Sequence, residues 1–238
     1  MRLRYWVVGL LLVGLVLADP TSAQSEKPEA ARDDRAQVLV ILKKLETVKP
    51  FHCTSMTTVI GTQGEGRQNP AARTAKIWQK GPYFRAEQAD ETIINRPEGF
   101  FLYEEKTGTY TQPPDFAKVA ILQTFKVPPN ASTTVEQIWS DALDSTDLRI
   151  LGTDVIDGKE ATRIAYTTSP FGGRVDVKLW LWNDKGLALK TEATSFMNEQ
   201  PTATEITEWR DFVFEDIPDS LFDVQQEKIQ KLPENWHL

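Results

Sequence analysis

The sequence predicts an α+β fold in which one large antiparallel sheet carries a leading helix and two short helices across one face. Three observations predict it. Stretches that alternate apolar and polar residues recur from Phe51 to Phe214, separated by turn residues at hairpin spacing. One amphipathic pattern of helical period precedes them, and shorter helical patterns interrupt them between Pro113 and Asp147. The stretch Arg174–Ser195, RVDVKLWLWNDKGLALKTEATS, reads as a β-hairpin and so fixes two strands and two faces at once.

In that hairpin Val175, Val177, Leu179 and Leu181 alternate with Asp176, Lys178, Trp180 and Trp182. A three-residue loop, Asp184-Lys185-Gly186, sets Asn183 opposite Leu187. One face then carries Leu181 beside Leu189, Leu179 beside Thr191 and Val177 beside Ala193, thinning toward small side chains. The other pairs Lys178 with Glu192 and Trp180 with Lys190, an ion pair and a cation–π pair. A loop of two or four residues would set Leu179 against Lys190 and mix the faces.

Taken in order, the chain opens with Arg2 and Arg4, an apolar run from Val7 to Ala18, and the small residues Thr21-Ser22-Ala23. This is the pattern of a secretory signal peptide over residues 1–23, with Ala18 as a second cleavage position. The run is shorter than the roughly 20 residues of a membrane span. No cysteine follows either site, so the exported product is expected to carry no lipid anchor. Residues 24–32 read as a loose tail and residues 33–238 as one domain. Val38, Ile41, Leu42 and Leu45 recur at helical spacing from Asp33-Asp34 to Pro50. Strands follow at 51–63, 73–80 and 83–88, then short ones at 93–94, 100–103 and 109–112. Phe116, Val119, Ala120 and Ile121 suggest one short helix. Val135, Ile138, Trp139 and Leu143 suggest another, opened by the capping box Thr133-Thr134-Val135-Glu136. Strands resume at 148–156, turn at Asp157-Gly158, and continue through 160–168, the hairpin and 202–214. Asp219-Ser220-Leu221-Phe222 and an acidic tail close the chain against the sheet edge.

Composition narrows the function. The net charge of −7 becomes −8 once Arg2, Arg4 and Asp19 leave with the signal peptide, which disfavours nucleic acid and anionic membranes as partners. Cys53 is the one cysteine, so no intramolecular disulfide forms, and a buried strand position suits it. His52 and His237 are the only histidines; His52 and Cys53 point to opposite faces of a strand, which argues against a nucleophile–base pair. The carboxylate pairs Asp33-Asp34, Asp90-Glu91 and Glu104-Glu105 sit at element ends, where solvated charge is ordinary. Asn130-Ala131-Ser132 is a glycosylation sequon, a short and weak motif. No metal and no cofactor are expected. Seven tryptophans and eleven phenylalanines exceed what simple filling of a core requires. They serve either as packing or as the lining of an apolar space between sheet and helices.

The segments TAKIWQKGPYFRAE, RPEGFFLYEEKTGTY, ILGTDVIDGKEATRIAY, KLWLWNDKGLALKTE and FEDIPDSLFDV resemble, in order and spacing, the LolA-like superfamily of outer-membrane lipoprotein carrier and sorting proteins. The resemblance covers nearly all of the exported chain and implies an incomplete antiparallel β-barrel with helices as a lid on its concave face. It implies a periplasmic, non-enzymatic monomer that binds a lipid or a lipoprotein acyl chain; related members are sensors that regulate a membrane-bound anti-sigma factor. Strand parity puts Ile77, Phe84, Leu179, Leu181 and Leu189 on the lining, with Phe101 and Tyr103 if their strand faces inward. Phe116, Val119, Ile138 and Trp139 belong to the lid. Lys80, in Trp78-Gln79-Lys80-Gly81-Pro82, matches the basic residue that holds the lid helices in the carriers, as lysine where the best-known carriers have arginine. A rival reading makes the protein a sensor or scaffold that docks an envelope partner through the sheet edge or through Trp180 and Trp182, which would then be exposed.

Overall fold

The structure, a computed structural model, describes residues 29–61, 71–114, 118, 121, 140–169 and 173–230. Outside them lie the expected signal peptide, Phe116, Val119, Ile138 and Trp139, the expected capping box, the sequon at Asn130, His237 and the last eight residues.

Helix α1 runs Glu29–Leu42 and tightens into a 3₁₀ turn at Lys43–Thr47 before Pro50. It begins upstream of Asp33, so residues 29–32 belong to the helix and not to a tail. Asp34 is taken from the expected cap to mid-helix, where its carboxylate accepts the backbone N–H of Ile150 at 2.9 Å. Strands β1 (Phe51–Gly61), β2 (Ala71–Lys80), β3 (Tyr83–Gln88), β4 (Glu91–Arg96), β5 (Gly99–Glu104) and β6 (Thr109–Thr111) form one meander. Helix α2 (Ser140–Asp144) leads into a second, of β7 (Arg149–Ile156), β8 (Lys159–Thr168), β9 (Arg174–Trp182), β10 (Ala188–Met197) and β11 (Gln200–Phe214). Antiparallel pairing of β1 with β11 joins the meanders, and a two-residue β12 (Ile229–Gln230) adds in parallel to β6. The order is β12-β6-β5-β4-β3-β2-β1-β11-β10-β9-β8-β7, with no pairing between the two ends. The fold is thus an α+β incomplete barrel: an open antiparallel sheet with helices on one face. Among the described residues no helix is long and apolar enough to cross a membrane.

Both faces are covered, by different parts of the chain. Val38 and Leu42 of α1 and Ala142 and Leu143 of α2 pack with Phe51, Ile77, Phe84, Ile93, Phe100, Ile164, Leu179 and Leu181. This is the helical face. On the other, Ile217, Phe222 and Val224 of the segment after β11 pack with Ile94, Phe101 and Tyr110. Alternation along each strand sorts residues to one cluster or the other.

The hairpin shows where local prediction holds and where it stops. Lys178 faces Glu192, Leu179 Thr191, Trp180 Lys190 and Val177 Ala193, as the sequence predicts. The Lys190 ammonium sits 5.0 Å from the centre of the Trp180 ring, and Lys178 Nζ is 3.8 Å from Glu192. The loop, however, has four residues: Trp182 N–H donates to Leu187 O, and Leu181 faces Ala188. A bulge between Ala188 and Lys190 restores the register. The cause is long-range. Asn183 N–H donates to Glu160 O on β8 at 2.9 Å and its side chain accepts from Thr162 at 2.7 Å, which draws Asn183 out of the β9–β10 pairing.

Candidate functional site

The helical face brings Ile77, Phe84, Leu179 and Leu181 into one cluster, each fully shielded. Three other predicted lining residues lie elsewhere. The bulge turns Leu189 to the opposite face, against Ala161 and Trp180. Phe101 and Tyr103 also point away from the helices, into the cluster of Ile94 and Tyr110, while Phe100 and Leu102 take the helical side. In GFFLYE every parity is apolar, so alternation alone could not choose.

Among the described residues Lys80 meets neither α1 nor α2, and the expected lid segments around Phe116 and Ile138 lie outside those residues. Its Nζ donates to Ile217 O at 2.8 Å and to Asp219 Oδ1 at 2.7 Å, with Asp216 at 3.7 Å, so it binds the segment after β11 on the face away from α1. The hydrogen bond that Lys80 donates to Asp219 raises the Lys80 pKa above its ordinary value.

Trp180 is likewise not presented to solvent. It is 7% exposed; its Nε1 donates to Asp154 at 2.7 Å and Arg163 lies 6.0 Å from the ring centre. Trp182 is half-buried between Phe212 and Phe214, both at 5.8 Å. Trp180 and Trp182 therefore do not form an exposed docking face. Cys53 and His52 form no pair: burial pushes the Cys53 thiol up, and His52 Nε2 sits 3.3 Å from Glu215. Among the described residues no cluster of metal-binding side chains occurs.

The helices are fastened along the β7–β9 side. Arg35 of α1 pairs with Asp144 of α2 at 3.4 Å, Asp34 receives Ile150 N–H, and Lys44 donates to Asn183 O at 2.5 Å. At the hairpin loop, Gly186 (φ +70°) lies so close to α1 that an added Cβ would stand 2.6 Å from Ile41 O. Asp147, between α2 and β7, accepts the N–H and hydroxyl of Thr167 at 2.9 and 2.7 Å and the hydroxyl of Ser145. Desolvation raises its pKa, but those hydrogen bonds and Arg149 outweigh it and hold the carboxyl at about 2, below the model-compound 3.8. A lowered carboxyl stabilises the fold above its unfolded pKa, and that stabilisation is lost as pH falls from about 4 toward 2. With 41% of the side chain exposed, solvent screening holds it to about 1 kcal/mol. Asp147→Asn should therefore lower the stability at pH 7 by about 1 kcal/mol. The deficit should shrink toward pH 2 in urea titrations at the two pH values.

What the sequence reading missed is the floor beside the large residues. Thr57, Thr207, Thr191 and Leu179 stand side by side across β1, β11, β10 and β9. The next row toward the open end of the strands is Val59, Glu205, Ala193 and Val177. Ala75, Ser55, Thr57 and Thr207 are buried, the last two sharing a hydroxyl hydrogen bond of 2.9 Å, while Thr191, Ala193 and Val177 are half-buried. The signal was in the sequence: TSMTT, KTEATS and TATEIT place small residues, with Glu205 as the one charged member, on one parity of three adjacent strands.

This geometry is that of an open, helix-covered half-barrel. The chain is similar to a LolA superfamily protein from Nitrosomonas europaea, which superposes with a TM-score of 0.38 at 11% identity, over 79% of this chain and 97% of that one. The Mycobacterium tuberculosis lipoprotein LppX gives 0.40 at 13%, over 79% and 98%. The Pseudomonas aeruginosa MucA/MucB complex gives 0.49 at 15% over 82% of this chain, which spans only 62% of the matched chain. No family model and no curated protein matches the sequence.

Proposed function

We propose that the chain is an exported, monomeric periplasmic binding protein without catalytic chemistry, which shields a lipid or a lipoprotein acyl chain between its helical face and the helices. The observation that carries this reading is the floor of small side chains beside Leu179. Large residues fill the face at one end; at the other, Ala75, Thr57, Thr207 and Ala193 leave width for a hydrocarbon chain along an unclosed sheet. Each methylene moved out of water contributes about 0.8 kcal/mol, so roughly ten supply about 8 kcal/mol before ordering losses, with no charged contact needed. The shielded Ile77, Phe84, Leu179 and Leu181 form the closed end, and Phe116, Val119, Ile138 and Trp139 belong to the proposed lid.

The test is Ala193→Trp. Ala193 is half-buried on the floor, so an indole there occupies the proposed path at small cost to the fold. Fatty-acid or lipopeptide binding, read by displacement of a fluorescent fatty acid, should fall more than tenfold while the melting temperature moves by a few degrees. Unchanged binding by a folded Ala193→Trp variant would remove the floor from the site.

A second reading, docking of an envelope protein at the sheet edge, is favoured by β7, whose outer side exposes Leu151 and Val155, the latter 73% exposed. The capping of Ile150 N–H by Asp34 and the bulge between Ile150 and Gly152 blunt one half of that edge.

A further inference from the structure

On the face away from the helices, a row of cations crosses three adjacent strands: Lys80 at the end of β2, Arg85 on β3 and Arg96 at the end of β4. Beside it lies an apolar floor of Ile94, Phe101 and Tyr110. The segment Asp216–Val224 fills this groove. Ile217, Phe222 and Val224 cover the floor, with the Phe222 ring 5.8 Å from that of Tyr83. Asp216 and Asp219 meet Lys80, and Asp223 stands 4.0 Å from Arg96.

Two features distinguish this segment from an ordinary edge of the core. First, the cations hold its backbone: Lys80 donates to Ile217 O and Arg85 to Leu221 O at 3.1 Å, contacts that any chain in the same path could make. Second, the charged part of its attachment is slight, so the segment is held mainly by the buried side chains of Ile217, Phe222 and Val224. The three carboxylates are 94, 87 and 71% exposed, where ion pairs are weak and salt-screened. The backbone N–H groups of Leu221 and Asp223 bond within the segment, to Pro218 O and Ser220 O. After it, among the described residues, only the two of β12 join the sheet.

We infer that this groove is a recognition site for an acidic segment that makes one 3₁₀ turn and carries one aromatic residue, supplied by a partner protein, and that residues 216–224, whose Asp219–Phe222 form such a turn, occupy it in cis. Lys80 and Arg85 hold the backbone on the two sides of the turn, Lys80 selects an acidic chain, since Arg85 and Arg96 also pair with Glu87 at 2.7 Å and Glu98 at 3.0 Å, and the Phe222 position selects an aromatic ring. In a chain of net charge −7 Lys80, whose carboxylate partners Asp216 and Asp219 both belong to the segment, gives an acidic ligand a defined place to bind. The site lies across the sheet from the proposed lipid path and does not depend on it.

A fluorescein-labelled peptide of residues 215–226, EDIPDSLFDVQQ, tests this against full-length protein by anisotropy. Phe222→Ala loosens the resident segment and should bind the peptide at least tenfold more tightly than the unaltered chain. Binding should weaken with rising salt, vanish when Lys80→Glu is added, and be absent for a peptide with its Phe replaced by Ala. If Phe222→Ala does not fold, as judged by circular dichroism, the double variant Asp216→Asn/Asp219→Asn takes its place. Equal or absent binding to the loosened and unaltered proteins, or binding indifferent to Lys80→Glu, overturns the inference and makes residues 216–224 a permanent part of the core. Lipid recovered with the protein is a separate readout, so failure here leaves the lipid reading standing.

Discussion

Replacing Leu181 by Asp should leave no cooperatively folded protein at pH 7. Leu181 is fully shielded, paired with Ala188 on one side and Thr162 on the other, and packed in the cluster that α1 and α2 cover. Removing its side chain from such a place costs about 2–5 kcal/mol. The carboxylate adds several more, whether it stays charged without a partner or takes up a proton. A domain of this kind has about 5–15 kcal/mol in all, so the sum reaches the whole stability. Loss of the near-ultraviolet circular dichroism signal at pH 7 is the expected result. Because burial raises a carboxyl pKa, the defect should narrow as pH falls toward 4, where the side chain enters neutral. A sharp unfolding transition close to that of the unaltered protein at pH 7 would contradict the packing described here. Loss of lipid by this variant would therefore report on the fold, and Ala193→Trp is the better probe of the path.

Gly186→Ala should lower stability by about 2–4 kcal/mol, or roughly 5–12 °C in melting temperature. The left-handed backbone at φ +70° accounts for about 1 kcal/mol. The remainder comes from the Cβ, which would stand 2.6 Å from Ile41 O and 3.1 Å from Leu45 Cγ, so the end of α1 must lift. Gly108→Ala separates the two effects. Gly108 has a similar φ of +66° and nothing within 4 Å of its added Cβ, so only the backbone part, about 1 kcal/mol, should appear. Equal losses at both positions, in paired urea titrations, would mean that the hairpin loop does not seat the helix.

Local chemistry made much of this fold legible. Alternation put Ile77, Phe84, Leu179 and Leu181 on one face, and the body of the β9–β10 register followed from opposite charges and an aromatic–lysine pair. The α1 stripe of Val38 and Leu42 followed from helical period. The departures come from partners far away in sequence. Asn183 is claimed by Glu160 O, which produces the bulge that turns Leu189 over. Phe101 and Tyr103 could not be assigned by parity because residues 217–224 make the second face apolar too. Lys80 finds its acceptors 137 and 139 residues downstream, a contact that the WQKGP motif does not encode. In the candidate site, attention to large apolar residues located the filled end of the face. It passed over the small ones, whose meaning depends on three strands lying side by side.

The central claim is that the helical face holds a lipophilic chain, and the most direct measurement is native mass spectrometry of the protein purified gently from the envelope of its own host, followed by organic extraction. The predicted result is a stoichiometric adduct that extracts as a lipid and is missing from Ala193→Trp. A clean mass of the protein alone, with no lipid recovered and no rise in melting temperature on adding fatty acid or lipopeptide, would contradict it.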